Sequence, residues 1–411
     1  MFKAYRYRIY PNQEQVKQFA CHFGCARWAY NWALSQKQEY YREHGKGISL
    51  RKIQDNLVSL KKTPVKAWLR EVNSQALLAS IRDSETAYKN FFQKRAKFPR
   101  FKRKMDSKQS FQCPQHVTVN FIKNRITLPK IGPVKAKLHR SFQGKIKTTT
   151  ISKNAAGHYY ASILVETVQP TPIPTAIDPN YTLGIDLGIK SFIMTSEGSE
   201  KQSLKSLKCG LRRLKILQRR VSKKVLGSLN RAKARKRLAR HHEKIKNRRL
   251  NTSHQISAEL VFKNHATSFA VEDLNVSGML KNRKLSRAIY DCAWSEFIRQ
   301  LHYKSTWAGK NVLKIGRWEP SSKRCSGCGQ IKETLSLNER VYHCEHCGLC
   351  IDRDHNAAIN IRHFALVQNR VGGARIQACG SCNGGDGGKQ KALSSSSYHG
   401  MKQEAPFKEC A

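Results

Sequence analysis

The spacing of hydrophobic and polar residues changes twice along the first half of the chain. Residues 2–10 alternate as a strand does, and residues 11–110 then carry apolar side chains mainly at helical spacing. Short alternating runs, bounded by Gly and Asn turns, follow from residue 111 to about residue 169. This pattern predicts a small N-terminal β-barrel or sandwich, residues 1–10 plus 111–175, with a helical domain over residues 11–110 inserted after its first strand.

Apolar strands and amphipathic helices alternate in the second half, which predicts an α/β domain. Two apolar strands meet near Gly188, and a basic stretch from Lys208 to Arg249 predicts two long helices joined near Gly227. The elements expected after them are a helix over residues 252–266, a strand over 268–274, a helix from Trp294 to Ala308, a strand over 312–315 and a helix that begins at Asp354. Residues 371–411 are rich in Gly and Ser, so we expect them to be disordered.

The strong positive charge of the chain indicates what kind of molecule it binds. The chain has 411 residues, with 76 lysines and arginines against 28 acidic residues and a formal net charge of +48. So large an excess opposes compaction unless a polyanion neutralises it, and nucleic acid is the polyanion that this composition favours. The mean hydropathy of -0.60 and the lack of a long apolar run argue against a membrane protein or a signal peptide. We therefore expect a cytosolic or nucleoid-associated protein with reduced thiols.

Basic residues are concentrated in two places. A turn at residues 98–104 interleaves them with aromatic residues, and the predicted helices between Lys208 and Arg249 have almost no acids with which to pair. Most charge runs are solvated helical faces, but the scarcity of acids favours a polyanion-binding surface here. The candidate nucleic-acid contacts in these two places are Arg100, Lys102, Arg103, Arg212, Arg213, Arg219 and Arg220.

Four cysteines in two Cys-x-x-Cys pairs predict one structural zinc site. Their spacing suits a tetrahedral site, and a closed shell of four thiolates leaves zinc no open position for a substrate. The predicted ligands, within a ribbon over residues 321–350, are Cys325, Cys328, Cys344 and Cys347. His343, His346 or Cys350 could replace a ligand, although we expect Cys350 to be a spare buried thiol. A third pair, Cys379 and Cys382, has no partner pair and is interpreted as incidental.

Three acidic residues in otherwise apolar surroundings are the candidates for catalysis. Asp186 lies on an apolar strand just before the glycine hinge, Glu272 lies near the end of another strand, and Asp354 stands at the start of the last helix. Carboxylates in such positions are costly to bury unless cations balance them, and two Mg²⁺ ions would also activate water against a phosphodiester. Asp352 competes with Asp354, which we prefer because a helix cap would fix its carboxylate. Each acid alone also has a structural interpretation, as a turn residue or an edge-strand charge.

The order of these motifs resembles the TnpB nucleases carried by bacterial insertion sequences, which are compact relatives of type V CRISPR effectors. The resemblance covers nearly the whole chain. The matching segments are residues 184–190 around Asp186, 271–274 around Glu272, the two Cys-x-x-Cys pairs, 352–360 around Asp354, and N-terminal signatures at residues 5–11, 28–31, 85–92 and 98–101.

The resemblance implies an RNA-guided DNA endonuclease with a split RuvC domain of RNase H-like fold, residues 180–320 plus 351–370. It assigns Asp186, Glu272 and Asp354 to two Mg²⁺ ions, and the four cysteines to one Zn²⁺ ion. The N-terminal barrel and the helical insert would be the wedge and recognition domains, which hold a guide (omega) RNA from the same locus. Ser74 and Gln75 would lie on the helix that reads a short motif beside the DNA target.

The implied partners are the guide RNA and double- and single-stranded DNA, in a prokaryotic cytosol, with a monomer favoured. Two alternatives stay open. A transposase that acts directly on the ends of its element needs the same acids but no guide. A non-catalytic RNA-guided regulator would lack one of the acids, whereas all three are present in this chain.

Overall fold

Two large β-sheets organise the protein in this computed structural model, which describes residues 1–106, 108–202, 205–336 and 338–370. The first sheet lies in the N-terminal part of the chain and the second lies in the part that carries the three candidate acids. Residues 371–411, including Cys379 and Cys382, lie outside the described residues. The prediction that they are disordered therefore stays a prediction.

The first sheet is antiparallel, and its strands are β1 (Phe2–Tyr10), β2 (Gln109–Cys113), β3 (Thr118–Asn120), β4 (Arg125–Leu128), β5 (Gly132–Lys137), β6 (Lys145–Lys153) and β7 (Tyr159–Glu166). Their order is β2-β6-β7-β1-β5-β4-β3, so the first strand of the chain lies inside the sheet. The order ends at β2 and β3, and the described strands therefore form an open sheet. The sequence predicts a small barrel or sandwich here, and the described strands show no closed barrel, because alternation predicts strands but not whether the two edge strands meet.

Three α-helices and a 3-10 helix follow β1 in the chain. They are α1 (Gln13–His44), α2 (Leu50–Leu60), a 3-10 helix (Pro64–Arg70) and α3 (Ser74–Phe92). Helices α1 and α3 contact the first sheet, whereas α2 packs on α3. Asn12 caps the N-terminus of α1. Its side chain accepts a hydrogen bond from the N–H of Gln15, and the Gln15 side chain accepts one from the N–H of Asn12. Phe19 and Phe23 of α1 pack against Phe111 of β2, which fixes the helical insertion to the sheet.

The second sheet is mixed, and its strands are β8 (Thr182–Asp186), β9 (Ser191–Thr195), β10 (Glu200–Gln202), β11 (Ser268–Glu272) and β12 (Asn311–Ile315). Their order is β10-β9-β8-β11-β12, in which β8, β11 and β12 run parallel and β9 and β10 run antiparallel to their neighbours. The parallel strands are almost wholly apolar because helices cover both of their faces.

The elements around this sheet are α4 (Ser206–Ser222), α5 (Leu229–Lys263), α6 (Val276–Met279), α7 (Ser286–Cys292), α8 (Trp294–Ala308), the ribbon strands β13 (Val341–His343) and β14 (Cys350–Asp352), and α9 (Arg353–Arg370). On one face, Ile361 of α9 packs against Ala270 of β11. On the other face, Phe269 of β11 packs with residues of α5 and α8. Helix α9 therefore lies directly on the two strands that end in Asp186 and Glu272.

Helix α5 differs from the sequence prediction. The chain turns at Gly227, with φ of 80°, as expected, but α5 then runs without a break to Lys263. The separate helix predicted from residue 252 is wrong, because the segment from Leu229 to Lys263 contains neither Gly nor Pro and its apolar positions continue from Ile245 to Leu260. In the described part of the chain, no helix combines the length and apolar character needed to span a membrane.

Candidate active site and metal centre

Two of the candidate acids stand side by side at one edge of the second sheet. Asp186 is the last residue of β8, and Glu272 is the last residue of β11. The strands are parallel neighbours with Ile185 opposite Val271, so the next residue on each strand is an acid. Adjacent strands lie about 4.8 Å apart, which brings the two carboxylates to the same strand end.

Helix α9 brings the third acid to the same place because Gly184 lets it approach β8 closely. A Cβ atom added to Gly184 would lie 2.0 Å from the carbonyl oxygen of Ala358. Only glycine therefore permits this contact between backbones. Asp354 lies one helical turn before Ala358, and Gly184 lies two residues before Asp186, so the close contact sets Asp354 over the end of β8.

The three acids influence one another electrostatically. The pKa of Asp186 is raised to about 8, mainly by burial and in addition by the neighbouring charges of Glu272 and Asp354. Burial also raises the pKa of Glu272, an effect opposed by the hydrogen bond that Ser321 Oγ donates to its carboxylate. The guanidinium of Arg353 lies 3.4 Å from Asp354 and supplies one nearby positive charge. A cluster of this kind favours the binding of cations.

Asp352, and not Asp354, caps helix α9. The Asp352 side chain is exposed, and its Oδ1 accepts hydrogen bonds from the N–H groups of Asp354 at 2.9 Å and His355 at 3.1 Å. The reason given from sequence for preferring Asp354 is therefore wrong. The preference for Asp354 has a different support: the cap engages the Asp352 carboxylate, whereas the charge of Asp354 raises the pKa of Asp186.

The four predicted zinc ligands form one compact group. Their sulfur atoms all lie within 4.8 Å of one another, with 3.6 Å between Cys325 and Cys347 and 3.6 Å between Cys328 and Cys344. A tetrahedron with Zn–S bonds of about 2.3 Å has sulfur atoms about 3.8 Å apart, so the group fits a zinc ion. Cys350 does not belong to the group, and it is exposed, which makes its predicted burial wrong. It is the first residue of β14 in the two-stranded β13–β14 sheet, and its side chain is exposed to solvent.

Two buried asparagines connect this ribbon to helix α9, and the sequence interpretation missed them. Asn356 accepts a hydrogen bond from the N–H of Ser326 at 2.9 Å and donates to the carbonyl oxygen of Arg324 at 2.8 Å. Asn360 donates to the carbonyl oxygens of Ser321 and Arg324. Both asparagines are fully buried. The one available signal was the pair of amides placed four residues apart, on one face of the helix that carries Asp354.

The predicted nucleic-acid contacts fall in three separate places. Ser74, the exposed first residue of α3, accepts a hydrogen bond from Lys61 Nζ at 2.8 Å, and Gln75 beside it is half-buried. Lys102 already contacts an aromatic ring of the protein, because its Nζ lies 3.8 Å from the centre of the Tyr30 ring. The remaining candidates are exposed, on the turn after α3 or on α4: Arg100, Arg103, Arg212, Arg213, Arg219 and Arg220.

A basic cleft lies between α4 and α5. It has a volume of about 390 Å³, and its lining includes four cations but no acid. These cations are Arg220, Lys224, Lys233 and Arg237, of which only Arg220 was named from the sequence. The two helices thus present converging positive charge, the arrangement that a phosphate backbone favours.

Comparisons with known proteins agree with this arrangement. Residues 162–283 match a family model of IS605 OrfB proteins described as "Probable transposase", residues 294–361 match "Cas12f1-like, TNB domain", and residues 1–46 match "Helix-turn-helix domain". In the structure, residues 1–46 form strand β1 and the single helix α1, so this span contains no helix-turn-helix.

Similar proteins match along nearly the whole chain. A protein of Streptomyces pristinaespiralis named RNA-guided DNA endonuclease is 38% identical over 394 residues, 95% of this chain and 96% of that protein. The RNA-guided DNA endonuclease InsQ of Escherichia coli K12 is 32% identical, over 92% of this chain and 94% of that protein. Among solved structures, Cas12f1 in a complex with sgRNA and target DNA has a TM-score of 0.54, at 17% identity over 85% of this chain and 83% of that chain.

The structural likeness defines the class: the chain has the fold of the compact Cas12f-type effectors. The sequence identities, which extend over almost the full length of both relatives, go further. The chain belongs to the TnpB family of RNA-guided DNA endonucleases, and the resemblance inferred from the sequence motifs is confirmed.

Proposed function

We propose that this protein is a transposon-encoded RNA-guided DNA endonuclease and that Asp186, Glu272 and Asp354 form its catalytic centre. The observation that carries the proposal is the meeting of three carboxylates, from three separate elements, at the end of β8, where burial and the other two acids raise the pKa of Asp186. Clusters of strongly perturbed ionisable groups are typical of catalytic centres. The names of the two relatives supply the reaction that such a centre would serve.

We assign residues 180–320 plus 351–370 to a nuclease domain of RuvC type, with an RNase H-like fold. The strand order β10-β9-β8-β11-β12 supports the assignment, because it combines an antiparallel set of three strands with a parallel set of three that share β8. The ribbon over residues 321–350 is inserted before the helix that carries Asp354. Residues 1–10 plus 111–175 and residues 11–110 are proposed as the wedge and recognition domains.

Two Mg²⁺ ions are the proposed cofactor, because carboxylate and phosphate oxygens are the ligands that this hard cation prefers. When bound, such a pair activates water and stabilises the leaving oxygen of a phosphodiester. The chain itself holds and orients the acids: Ser321 donates a hydrogen bond to Glu272, and Arg353 lies against Asp354. Asp186 must lose a proton before it can act as a ligand, since a pKa of about 8 favours the neutral acid at pH 7.

The four cysteines are proposed to hold one structural Zn²⁺ ion. A closed shell of four thiolates gives zinc no catalytic position, so its effect on cleavage would be indirect. Asn356 and Asn360 provide that route, because they connect the ribbon backbone to the helix that carries Asp354. The ribbon would then keep α9, and with it the third acid, in place.

The guide RNA is the proposed counterion for much of the net charge of +48. Base pairing would select the DNA target, while protein side chains read only a short flanking motif. The exposed Ser74 and its neighbour Gln75 are the candidates for that motif. The basic cleft between α4 and α5 and the turn around Arg100 are the candidates for contacts with phosphates.

Guide reprogramming tests the proposal. The protein is expressed with its native flanking DNA, the copurifying RNA is sequenced, and the terminal guide segment is replaced. Cleavage should move to the matching DNA beside the same flanking motif and should require Mg²⁺. If RNA-free protein cuts the same sites equally well, or if the new guide leaves the sites unchanged, the guided reaction is refuted and a transposase acting without a guide becomes the better assignment.

A further inference from the structure

Trp318 is far more exposed than the other tryptophans of this chain. Its exposed fraction is 91%, and the next most exposed of the six tryptophans, Trp68, reaches 36%. In the described part of the chain, no aromatic ring or cation packs on the Trp318 indole. The indole is a large flat ring, and its exposure leaves both of its faces open to a ligand that stacks.

The loop that carries Trp318 is firmly held. Arg317 donates to the carboxylate of Asp273 at 2.7 Å, and Glu319 accepts a hydrogen bond from Gln368 of α9 at 2.9 Å. The carbonyl oxygen of Ser321 accepts a hydrogen bond from Asn360 of the same helix. The indole is therefore presented to solvent by a backbone that is anchored on both sides.

The same loop borders the three carboxylates. Arg317 binds the residue directly after Glu272, and Ser321 donates to Glu272 itself. Trp318 lies between these two anchors in sequence, so its backbone lies at the end of the second sheet where the acids meet, and its indole is exposed to solvent there.

The surroundings of Trp318 suit a nucleobase better than a protein partner. A protein interface needs a contiguous apolar patch, whereas the exposed residues beside Trp318 are Gly316 and Arg317, with Lys314 nearby. A nucleobase offers a flat π face on which the indole can stack, and such a contact needs no apolar patch around the ring. Bases within a duplex are already stacked on both faces, so the base has to be unpaired.

We propose that Trp318 stacks on an unpaired nucleobase of the DNA strand presented to Asp186, Glu272 and Asp354, and thereby positions that strand for cleavage. This inference rests on the proposed nuclease function. Trp318 is a positioning residue and takes no part in the bond-breaking step.

Tryptophan fluorescence tests the contact without any cleavage. In the Asp186→Asn background, the emission of Trp318 is obtained as the difference between the protein with and without Trp318→Phe. Saturating single-stranded oligothymidylate should quench this difference emission, and a blunt duplex of equal length should leave it largely unchanged. An emission that the single strand does not alter, or that the duplex quenches equally, would overturn the proposal.

Cleavage by guide-loaded protein already bound to its target tests the consequence. Trp318→Ala should slow cleavage at least about fivefold, the lower end of what one base–aromatic stack contributes, while Trp318→Phe stays within about threefold of the parent. Guide and target affinities, zinc content and the unfolding temperature should not change. Ile331→Ala, which truncates another exposed side chain in the neighbouring ribbon, is the matched control and should cut at the parental rate.

Three results would overturn the inference: parental cleavage by Trp318→Ala, an equal loss in Trp318→Phe, or an equal loss in Ile331→Ala. They differ from a failure of the proposed function, in which the parent protein itself does not follow its guide. In that case the fluorescence experiment still decides whether Trp318 binds single strands.

Discussion

The four-cysteine group and the three-carboxylate group are both candidate metal sites, but the chain builds them in different ways. The cysteines lie within residues 325–347, and their ligand atoms already lie within 4.8 Å of one another. The acids lie 168 residues apart at their extremes, and among the described residues their ligand atoms do not form a group that close. Thiols can share protons among themselves until a metal displaces them, whereas neighbouring ionised carboxylates repel each other.

This difference teaches where each site obtains its geometry. Two short turns arrange the cysteines locally, so the metal and the local fold depend on each other. Rigid elements arrange the acids: two parallel strands in fixed register and a helix that contacts bare backbone at Gly184. Loss of a cysteine should therefore damage the fold, whereas loss of an acid should relieve repulsion and damage only the chemistry.

The largest expected effect is the loss of cleavage in Asp186→Ala or Glu272→Ala. Each change removes a ligand of the proposed Mg²⁺ pair, so cleavage should fall by roughly a thousandfold or more, while target binding stays within about twofold. Single-turnover cleavage and an electrophoretic binding assay measure the two quantities. Glu200→Ala, which removes an exposed acid from the edge strand β10 of the same sheet, should cut normally. Near-parental cleavage by either acid variant would refute the assignment.

Cys344→Ser should cost stability and activity together. It removes a ligand from the closed group, so zinc content should fall from about one ion per chain and the free energy of unfolding should drop by several kcal/mol, on the order of a lost structural metal. Elemental analysis and thermal unfolding measure these changes. Cys350→Ser is the matched control, because this exposed thiol lies outside the group, and it should change stability by less than about 0.5 kcal/mol. Equal losses in the two variants would contradict the assigned ligand set.

Asp186→Asn should stabilise the protein in magnesium-free buffer, by several kcal/mol at pH 8, about 1.4 kcal/mol for each unit by which the pKa is raised. The folded protein holds the Asp186 proton up to a pKa of about 8, well above the value in the unfolded chain, so the parent loses stability as the pH rises from about 4 to 8. Asparagine carries no charge and avoids this loss, and the gain should vanish near pH 4. Thermal unfolding across this pH range measures it. If the variant were less stable than the parent at pH 8, burial of the ionised Asp186 carboxylate would not destabilise the fold.

The smallest effect separates Asp352 from Asp354. Asp352→Ala removes the cap of α9, which should cost about 1 kcal/mol of stability and reduce cleavage less than about tenfold. Asp354→Ala should match the other acid variants in losing cleavage. Asp352→Asn keeps an acceptor oxygen and should restore the stability. If Asp352→Ala instead abolished cleavage in a stable protein, the two roles would have to be exchanged.

Local patterns predicted the features that depend on local chemistry. The cysteine spacing predicted a compact group of four, and the apolar runs predicted β8, β9 and β11 as buried strands. The family was also predicted correctly, since its motifs follow one another in a fixed order. The catalytic roles, the domain boundaries and the nucleic-acid contacts stay predictions.

The wrong predictions concern features that a local pattern does not determine: the pairing of strands far apart in sequence, and the exact residue at which a helix begins. Closure of the first sheet depends on whether β2 and β3 pair, and no spacing within either strand encodes that. Asn251 and Thr252 look like a helix start, yet the continuing apolar stripe keeps them inside α5. The cap of α9 was misplaced by two residues, which is the usual uncertainty of a helix end.

The close docking of α9 on Gly184 also has a consequence for the order of synthesis. The ribosome makes Asp186 first, but the proposed catalytic centre stays incomplete until Asp354 emerges 168 residues later and its helix packs on β8. At ordinary elongation rates this interval is roughly 10–30 s. During that time the nascent chain can fold its N-terminal sheet and collect RNA while it is still incapable of cutting the DNA from which it is being expressed.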